Sequence, residues 1–278
     1  MKRIKLKILL ITTYSSEDIN NVTGEDEYFI KREKLTNQLA ITGAFSPLHY
    51  NDNGVGLIIT GMGIANASSS IMAIGLSPKI DLTDTNIIIA GIGGLLPKKG
   101  PLGTVVCVNN IINDLCFEID PRELAKNKKF YKEKLPWLTG SEVFTLNNEL
   151  VEKNYKIISE STDINVIMGD NLTSDCFWHG KKLADWSENW VKEWTDNKGC
   201  FCISDMEDSG MMTAFKRLSD AERCSFNKIA VIRTASNYVY EHETNPSESI
   251  KKHDSFTLAV ENTYSAVKTI MKNILCTN

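Results

Sequence analysis

Two short polar segments in the C-terminal third contain the residues best suited to chemistry. Residues 204–210 have the sequence SDMEDSG, and residues 233–237 have the sequence RTASN. Each segment follows an apolar run, residues 200–203 in one case and 229–232 in the other, and such runs are typical of buried strands. Polar side chains at the carboxyl ends of strands in an open α/β sheet meet at the edge where ligands bind. We therefore expect a carboxylate and an amide to converge there.

The rest of the chain must supply the sheet that positions these segments. Apolar, β-branched runs predict further strands at residues 7–13, 55–60, 86–90, 104–108 and 163–169. Apolar or small residues at helical spacing predict helices at 65–75 and 255–274. Strands that are apolar throughout and alternate with helices indicate a sheet covered on both faces. The predicted class is therefore α/β, with residues 1–278 forming one domain.

Composition excludes several classes of protein. The 278 residues carry a formal net charge of −4, so the basic surface of a nucleic-acid-binding protein is not expected. No apolar run approaches the roughly 20 residues of a membrane-spanning helix. The N-terminal residues 1–11 imitate a signal peptide, but their apolar stretch is shorter than about 7–15 residues and no small-residue cleavage site follows. We interpret them as leading into a first strand.

The seven cysteines are scattered and several lie inside apolar runs. We interpret them as buried thiols of a protein in a reducing compartment, which predicts a cytoplasmic location. Metal binding is the alternative, but the chain has no C-x-x-C motif and only four histidines. Neither a metal site nor a cofactor is predicted.

Motifs along the chain carry a resemblance to a known family. They are TGMGIANA at residues 60–67, IAGIGGLLP at 89–97, EIDPRE at 118–123, SEVFTLN at 141–147, TSDCF at 173–177, MED at 206–208 and RTASN at 233–237. In this order and spacing the chain resembles the purine nucleoside permease family, which is similar to the nucleoside phosphorylase and nucleosidase superfamily. The resemblance covers most of the chain, from about residue 57 to about residue 240.

The resemblance implies both a fold and a reaction. The fold would be a three-layer α/β/α sandwich around a mixed, partly barrel-like sheet. The reaction would be cleavage of the N-glycosidic bond of a purine nucleoside with phosphate or with water. Relatives of this fold often form dimers, trimers or hexamers, so a homo-oligomer is expected by analogy. Residues 117–154 are more polar and irregular, and we interpret them as an insertion over the edge of the sheet.

Breaking this bond builds positive charge on the ribose and negative charge on the purine, so a carboxylate is needed near the sugar and a donor near the base. The resemblance places Glu207 against the ribose hydroxyls, Met206 against the sugar face and Phe177 against the base. Trp178 or His179 could also touch the base. The alternative for Glu207 is an acid at a helix N-terminus, where the helix dipole favours it.

Asn237 lies where many members of the superfamily carry Asp, the residue that gives a proton to N7 of the purine. An amide cannot deliver a proton, but its NH₂ group can donate a hydrogen bond to N7 as charge develops. This predicts a preference for 6-oxopurine nucleosides such as inosine and guanosine over adenosine. The alternative is a strand-end Asn that closes a turn.

The sequence leaves two possibilities for the nucleophile. A glycine-rich turn after a strand would hold phosphate on the backbone N–H groups of Gly91 and Gly93. Related phosphorylases have a hydroxyl residue at the position of Gly91, which this chain lacks, although Arg233 could supply charge. In related nucleosidases an N-terminal Glu, the sugar Glu and an Arg hold a water, and Glu17, Glu207 and Arg233 could serve here.

Three functions follow from these residues. Phosphorolysis of purine nucleosides, with phosphate as co-substrate, is slightly favoured over hydrolysis. A non-catalytic nucleoside-binding protein that serves uptake is the alternative from another class, because Asn237 replaces an acid and the phosphate hydroxyl is missing. A storage or scaffold protein on a degenerate fold is less favoured, because Glu207 and Arg233 are kept.

Overall fold

A long mixed sheet frames the molecule, which we describe from a computed structural model over residues 3–18, 22–114, 117–118, 133–134, 137–240 and 253–277. The strands are β1 (Ile4–Lys5), β2 (Ile8–Thr12), β3 (Asn37–Leu39), β4 (Leu48–Tyr50), β5 (Val55–Ile59), β6 (Ile80–Asp81), β7 (Asn86–Leu95), β8 (Val105–Asn113), β9 (Phe117–Glu118), β10 (Glu133–Lys134), β11 (Val143–Thr145), β12 (Val166–Thr173), β13 (Phe201–Asp205) and β14 (Ile229–Tyr238). The helices are α1 (Glu27–Arg32), α2 (Ile64–Leu76), α3 (Asn148–Ser161), α4 (Lys181–Trp194), α5 (Asp208–Asp220) and α6 (His253–Thr277).

The main sheet closes partly on itself. Its strands follow the order β11-β8-β12-β13-β7-β2-β5-β4-β3, and β14 pairs with both β7 and β8. Strands β8, β12, β13, β7 and β14 therefore form a ring, while β2, β5, β4 and β3 extend from β7 as an open sheet. Parallel and antiparallel pairs both occur, for example β14 parallel to β7 and antiparallel to β8. The predicted α/β class with a mixed, partly barrel-like sheet is confirmed.

Strands β2 and β5 are buried at every residue, as their uninterrupted apolar sequences predict. Helices α2 and α5 approach each other closely, because Gly75 leaves room for the side chain of Leu218 and Gly210 lies against the backbone of Ile64. The strands predicted from apolar runs are confirmed at β2, β5, β7, β8 and β12, and the predicted helices at α2 and α6.

The predicted glycine-rich turn at residues 91–94 is wrong. These residues continue β7 as far as Leu95, because Gly91 and Gly93 pair with β14 and Gly94 pairs with both β14 and β13. A strand built of glycine has no side chains to stabilise it. Here the hydrogen bonds of two neighbouring strands hold it.

The interpretation of residues 117–154 as an irregular insertion is wrong where the structure can test it. Val143–Thr145 forms the edge strand beside β8, and Asn148–Ser161 is a helix. Most of the EIDPRE motif at 118–123 lies outside the described residues, as does Cys116. Three of the other cysteines are buried as predicted (Cys107, Cys202 and Cys224), whereas three are exposed (Cys176, Cys200 and Cys276). Within the described ranges, no helix is both long and apolar enough to cross a membrane.

Candidate functional site

A cavity of about 210 Å³ opens where β2, β7, β13 and β14 end and α2 begins. Concave sites lined by apolar groups with a few polar ones are the usual binding places for small molecules. The polar wall of this cavity includes three carboxylates, those of Glu25, Asp205 and Glu207. We call this the carboxylate end. The amide of Asn237 lines the cavity beside Gly94, and we call that region the amide end.

Glu25 is held at the carboxylate end by three donors. One carboxylate oxygen accepts hydrogen bonds from the backbone N and the hydroxyl of Thr13, both at 2.7 Å, and the other accepts the backbone N–H of Ile92 at 2.7 Å. Only 3% of Glu25 is exposed. A carboxylate has about four lone-pair positions, so one remains open to a ligand. The segment that follows β2 therefore folds back, so that Glu25 lies beside the end of β2.

Glu207 lies between two helix starts. It precedes α5, and its Oε1 accepts the backbone N–H of Gly63, just before α2, at 3.1 Å. Asp205 fixes the turn because its Oδ2 accepts the backbone N–H groups of Glu207 at 3.0 Å and of Asp208 at 2.7 Å. Burial and the charge of Asp205 raise the pKa of Glu207 to about 8, although Arg233 opposes the shift. The carboxyl group of Glu207 therefore ionises at a higher pH than that of an exposed glutamate.

The raised pKa of Glu207 predicts how stability depends on pH. Between its ordinary value of 4.5 and about 8, the native protein keeps a proton that the unfolded chain has released, so this group lowers native stability as pH rises. A Gln cannot ionise. The melting temperature of Glu207→Gln relative to that of the parent should therefore increase as the pH rises from about 5 to about 8. Each kcal/mol of relative stability corresponds to roughly 2–4 °C in melting temperature.

Thermal melts of the Glu207→Gln variant and the parent across this pH range measure the difference. The exposed acid Glu160 offers the control substitution Glu160→Gln, which should leave the melting difference flat with pH. If the melting-temperature difference between Glu207→Gln and the parent were also independent of pH, burial would not raise the pKa of Glu207 as argued.

Arg233 lies behind the cavity wall. The guanidinium is 1% exposed, and it is paired with both carboxylate oxygens of Asp208, with Asp205 at 3.0 Å and with Glu207 at 3.7 Å. Burial raises the pKa of Asp208 to about 7 even beside this cation. The Asn171 amide donates to Asp205 at 2.8 Å and to Asp208 at 2.7 Å. Three acids thus surround one cation, and Arg233 does not line the cavity.

Gly91 also lies outside the cavity lining. A side chain at this position would meet the Arg233 Nη1 atom at 2.4 Å and the Glu25 Oε1 atom at 2.6 Å. The space that a hydroxyl residue would need is therefore filled by these two groups. The prediction that the backbone of Gly91 faces phosphate is not supported by this geometry, whereas Gly93 does line the cavity.

The amide end is more apolar. Asn237 is 7% exposed; its carbonyl oxygen accepts the Ser236 hydroxyl at 2.9 Å and its NH₂ group donates to the Tyr238 carbonyl at 3.2 Å. Phe177 and Trp178 line the same cavity, and Phe177 remains 54% exposed. An aromatic ring at an open mouth is suited to stack on a planar ligand.

The structure brings most of the predicted site residues together. The cavity is lined by Met206, Glu207, Asn237, Phe177, Trp178 and Gly93. Glu17 is exposed, and the segment that contains it does not bring it to the cavity. Sequence reasoning missed Glu25, which occupies the place expected for Glu17, and it missed Tyr14 and Asp205 as lining residues. The acidic run GEDE at residues 24–27, just before α1, is the signal that could have indicated Glu25.

The chain is similar to known proteins along most of its length. Residues 5–165 and 160–277 match the family described as Purine nucleoside permease (NUP). The Schizosaccharomyces pombe protein named "Probable purine nucleoside permease C285.05" is 27% identical over 84% of this chain and 78% of its own. The Candida albicans purine nucleoside permease is 24% identical over 84% of this chain and 66% of its own.

Solved structures share the fold at low sequence identity. The 5′-methylthioadenosine/S-adenosylhomocysteine nucleosidase of Neisseria meningitidis, in complex with methylthio-immucillin-A, superimposes with a TM-score of 0.66 at 18% identity, covering 96% of this chain and 100% of that one. The futalosine hydrolase of Helicobacter pylori gives a TM-score of 0.64 at 14% identity, covering 95% and 97%. At these identities the likeness shows the fold.

Proposed function

Because this chain belongs to the purine nucleoside permease family, we propose that its cavity binds a purine nucleoside and that it cleaves the N-glycosidic bond with water. The observation that carries this proposal is the pair of carboxyl groups of Glu25 and Glu207, both buried and both lining the cavity. A glycosidic bond breaks through a transition state with positive charge on the sugar, and preorganised acidic groups stabilise that charge. Named nucleosidases with the same fold add support.

Each acid has its own part in this reaction. Glu25, with one lone-pair position open, is the base that takes a proton from the attacking water. The water oxygen forms a bond to C1′ as the bond from C1′ to the purine nitrogen breaks. The electron pair of the broken bond leaves with the purine. Glu207 contacts the ribose hydroxyls, held in place by Gly63 and by the turn that Asp205 fixes.

The charge of the cavity favours water over phosphate. None of the described lining residues is a Lys, Arg or His, while three are acids. Arg233, the expected phosphate ligand, is already paired with Asp205 and Asp208 behind the wall. A phosphate dianion would meet like charges, and such repulsion is strong where water is excluded. Hydrolysis is therefore favoured over the phosphorolysis that the sequence alone suggested.

The amide end supports a purine ligand. Phe177 is placed to stack on the base, and the NH₂ group of Asn237 can exchange its 3.2 Å bond to the Tyr238 carbonyl for one to N7. Since an amide donates without giving up a proton, a leaving group that holds negative charge well is favoured. We therefore propose 6-oxopurine nucleosides such as inosine as the preferred substrates.

One observation favours a second candidate, a nucleoside-binding protein without turnover. Asn237 provides no proton at the position where many members of the superfamily carry an acid. Binding requires only the contacts of Glu207, Phe177 and Asn237, all of which line the cavity. The family description as a permease fits a binding role in uptake equally well.

Incubation of the purified protein with inosine, with and without phosphate, distinguishes these functions. We expect hypoxanthine and free ribose at the same rate in both, and slower release of base from adenosine. Ribose 1-phosphate formed only with phosphate would contradict hydrolysis. Saturable binding of inosine without release of hypoxanthine would favour the binding protein. Asn237→Asp is then the matched variant, because a gain of hydrolysis in it would show that the amide alone prevents turnover.

A further inference from the structure

Tyr14 lines the cavity, and its hydroxyl has no hydrogen-bond partner among the described residues. It lies two residues beyond the end of β2, and only 4% of it is exposed. The hydroxyl is buried and makes no hydrogen bond to any residue that the structure describes. A buried hydroxyl left unpaired costs about 1–3 kcal/mol, so such groups usually await a ligand or a water. The position of Tyr14 in the wall makes a ligand the natural partner.

The surroundings of Tyr14 decide what it can offer a ligand. Burial, and then the charges of Glu25, Asp26 and Glu207, raise the pKa of the phenol well above its ordinary value. The hydroxyl therefore keeps its proton and can donate. Neither Glu25 nor Glu207 accepts a hydrogen bond from the phenol in this structure.

The location of Tyr14 identifies which part of the ligand it meets. Its carbonyl accepts the backbone N–H of Glu25 at 3.2 Å, and the preceding Thr13 donates to the Glu25 carboxylate, so Tyr14 lies at the carboxylate end. Asn237 lies beside Gly94, two residues farther along β7 than Ile92, which bonds Glu25; at about 3.3 Å per residue this is roughly 6–7 Å away. The ligand group that contacts Tyr14 is therefore one that also lies beside the acids. It is not the purine base.

We propose that the Tyr14 hydroxyl donates a hydrogen bond to a ribose hydroxyl of the bound nucleoside, an inference that rests on the proposed nucleoside site. A ribose hydroxyl that donates to a carboxylate still has lone pairs with which to accept from Tyr14. The attacking water is a poorer partner, because a donor on its oxygen would reduce the nucleophilicity of the lone pair. Tyr14 is thus a sugar-recognition residue in addition to Glu207.

Tyr14→Phe tests this proposal, because it removes only the hydroxyl. We expect kcat/KM for inosine to fall about tenfold, which corresponds to about 1.4 kcal/mol. Thermal stability should stay the same or rise, since an unpaired buried group is lost. Tyr28 is the matched control: it is half-buried, packs against Tyr264 and does not line the cavity. Tyr28→Phe should leave kcat/KM unchanged.

Deoxynucleosides locate the hydroxyl that Tyr14 contacts. With 2′-deoxyinosine, 3′-deoxyinosine and 5′-deoxyinosine as substrates, the Tyr14→Phe penalty should disappear for the one that lacks the partner hydroxyl and persist for the other two. A penalty equal for all three would overturn the proposal, and so would the absence of any penalty with inosine. If the parent protein binds inosine without cleaving it, the same comparison is made on Kd, so failure of hydrolysis and failure of the Tyr14 contact are separated.

Discussion

Glu25→Gln is expected to lower kcat/KM for inosine hydrolysis by about a hundredfold to ten-thousandfold, the range that general base catalysis contributes. The amide cannot accept a proton from the attacking water. It also cannot satisfy both Thr13 N–H and Ile92 N–H, which now bond opposite oxygens of the carboxylate, so some stability is lost as well. Steady-state kinetics well below the melting temperature of each variant measure the effect.

Glu17→Gln provides the comparison, since this acid lies in the same segment but is exposed. It should keep the parent's kcat/KM. If Glu25→Gln kept more than about a tenth of the parent's activity, the loss would be smaller than the contribution of a general base. That result would rule out the role of general base for Glu25. Loss of activity in Glu17→Gln would instead mean that the segment rearranges when the ligand binds.

Arg233→Met is expected to destabilise the protein by about 3–5 kcal/mol, as removal of one partner from a buried ion pair does. The change leaves Asp205 and Asp208 buried without a cation. With Arg233 absent, the pKa of Asp208, which burial already raises to about 7, should rise further above its unfolded value. The native variant then holds protons that the unfolded chain has released, so part of the lost stability should return as pH falls.

Denaturant titrations of Arg233→Met at neutral and acidic pH test this prediction. Arg223 gives the control, because its side chain donates to the carbonyls of Gly75 at 3.1 Å and Ser77 at 3.5 Å and is only half-buried. Arg223→Met should cost about 1 kcal/mol. Equal losses in the two variants, or no recovery of Arg233→Met at low pH, would show that the acids behind the cavity do not depend on this cation.

The strands were predictable from the sequence where side chains alone decide them. The runs in β2 and β5 are apolar at almost every residue, and burial on both faces follows. Residues 91–94 were not predictable, because glycine is depleted in strands and nothing local shows that β14 and β13 will pair with this stretch. Tertiary hydrogen bonding overrides the local preference there.

The same limit applies to the site. Glu207 and Met206 directly follow β13, so their arrival at the sheet edge could be expected. Arg233 and Asn237 lie in one strand at an even spacing, which would place both on one face. A register shift between Ala235 and Asn237 breaks that alternation, so Asn237 lines the cavity while Arg233 lies behind it. Glu25 depends on the path of a loop, which no spacing rule gives.

The acids at the carboxylate end also determine which cellular molecules compete for the cavity. A nucleotide differs from a nucleoside by a phosphate that carries negative charge. Glu25 lines the cavity with no cation among the described lining residues, and a phosphate brought to about 4 Å from such a carboxylate would be repelled by about 4 kcal/mol near a protein surface. That repulsion corresponds to about a thousandfold in occupancy. If the cavity binds nucleosides as proposed, the protein should therefore respond to the concentration of free nucleosides even when phosphorylated forms are in large excess.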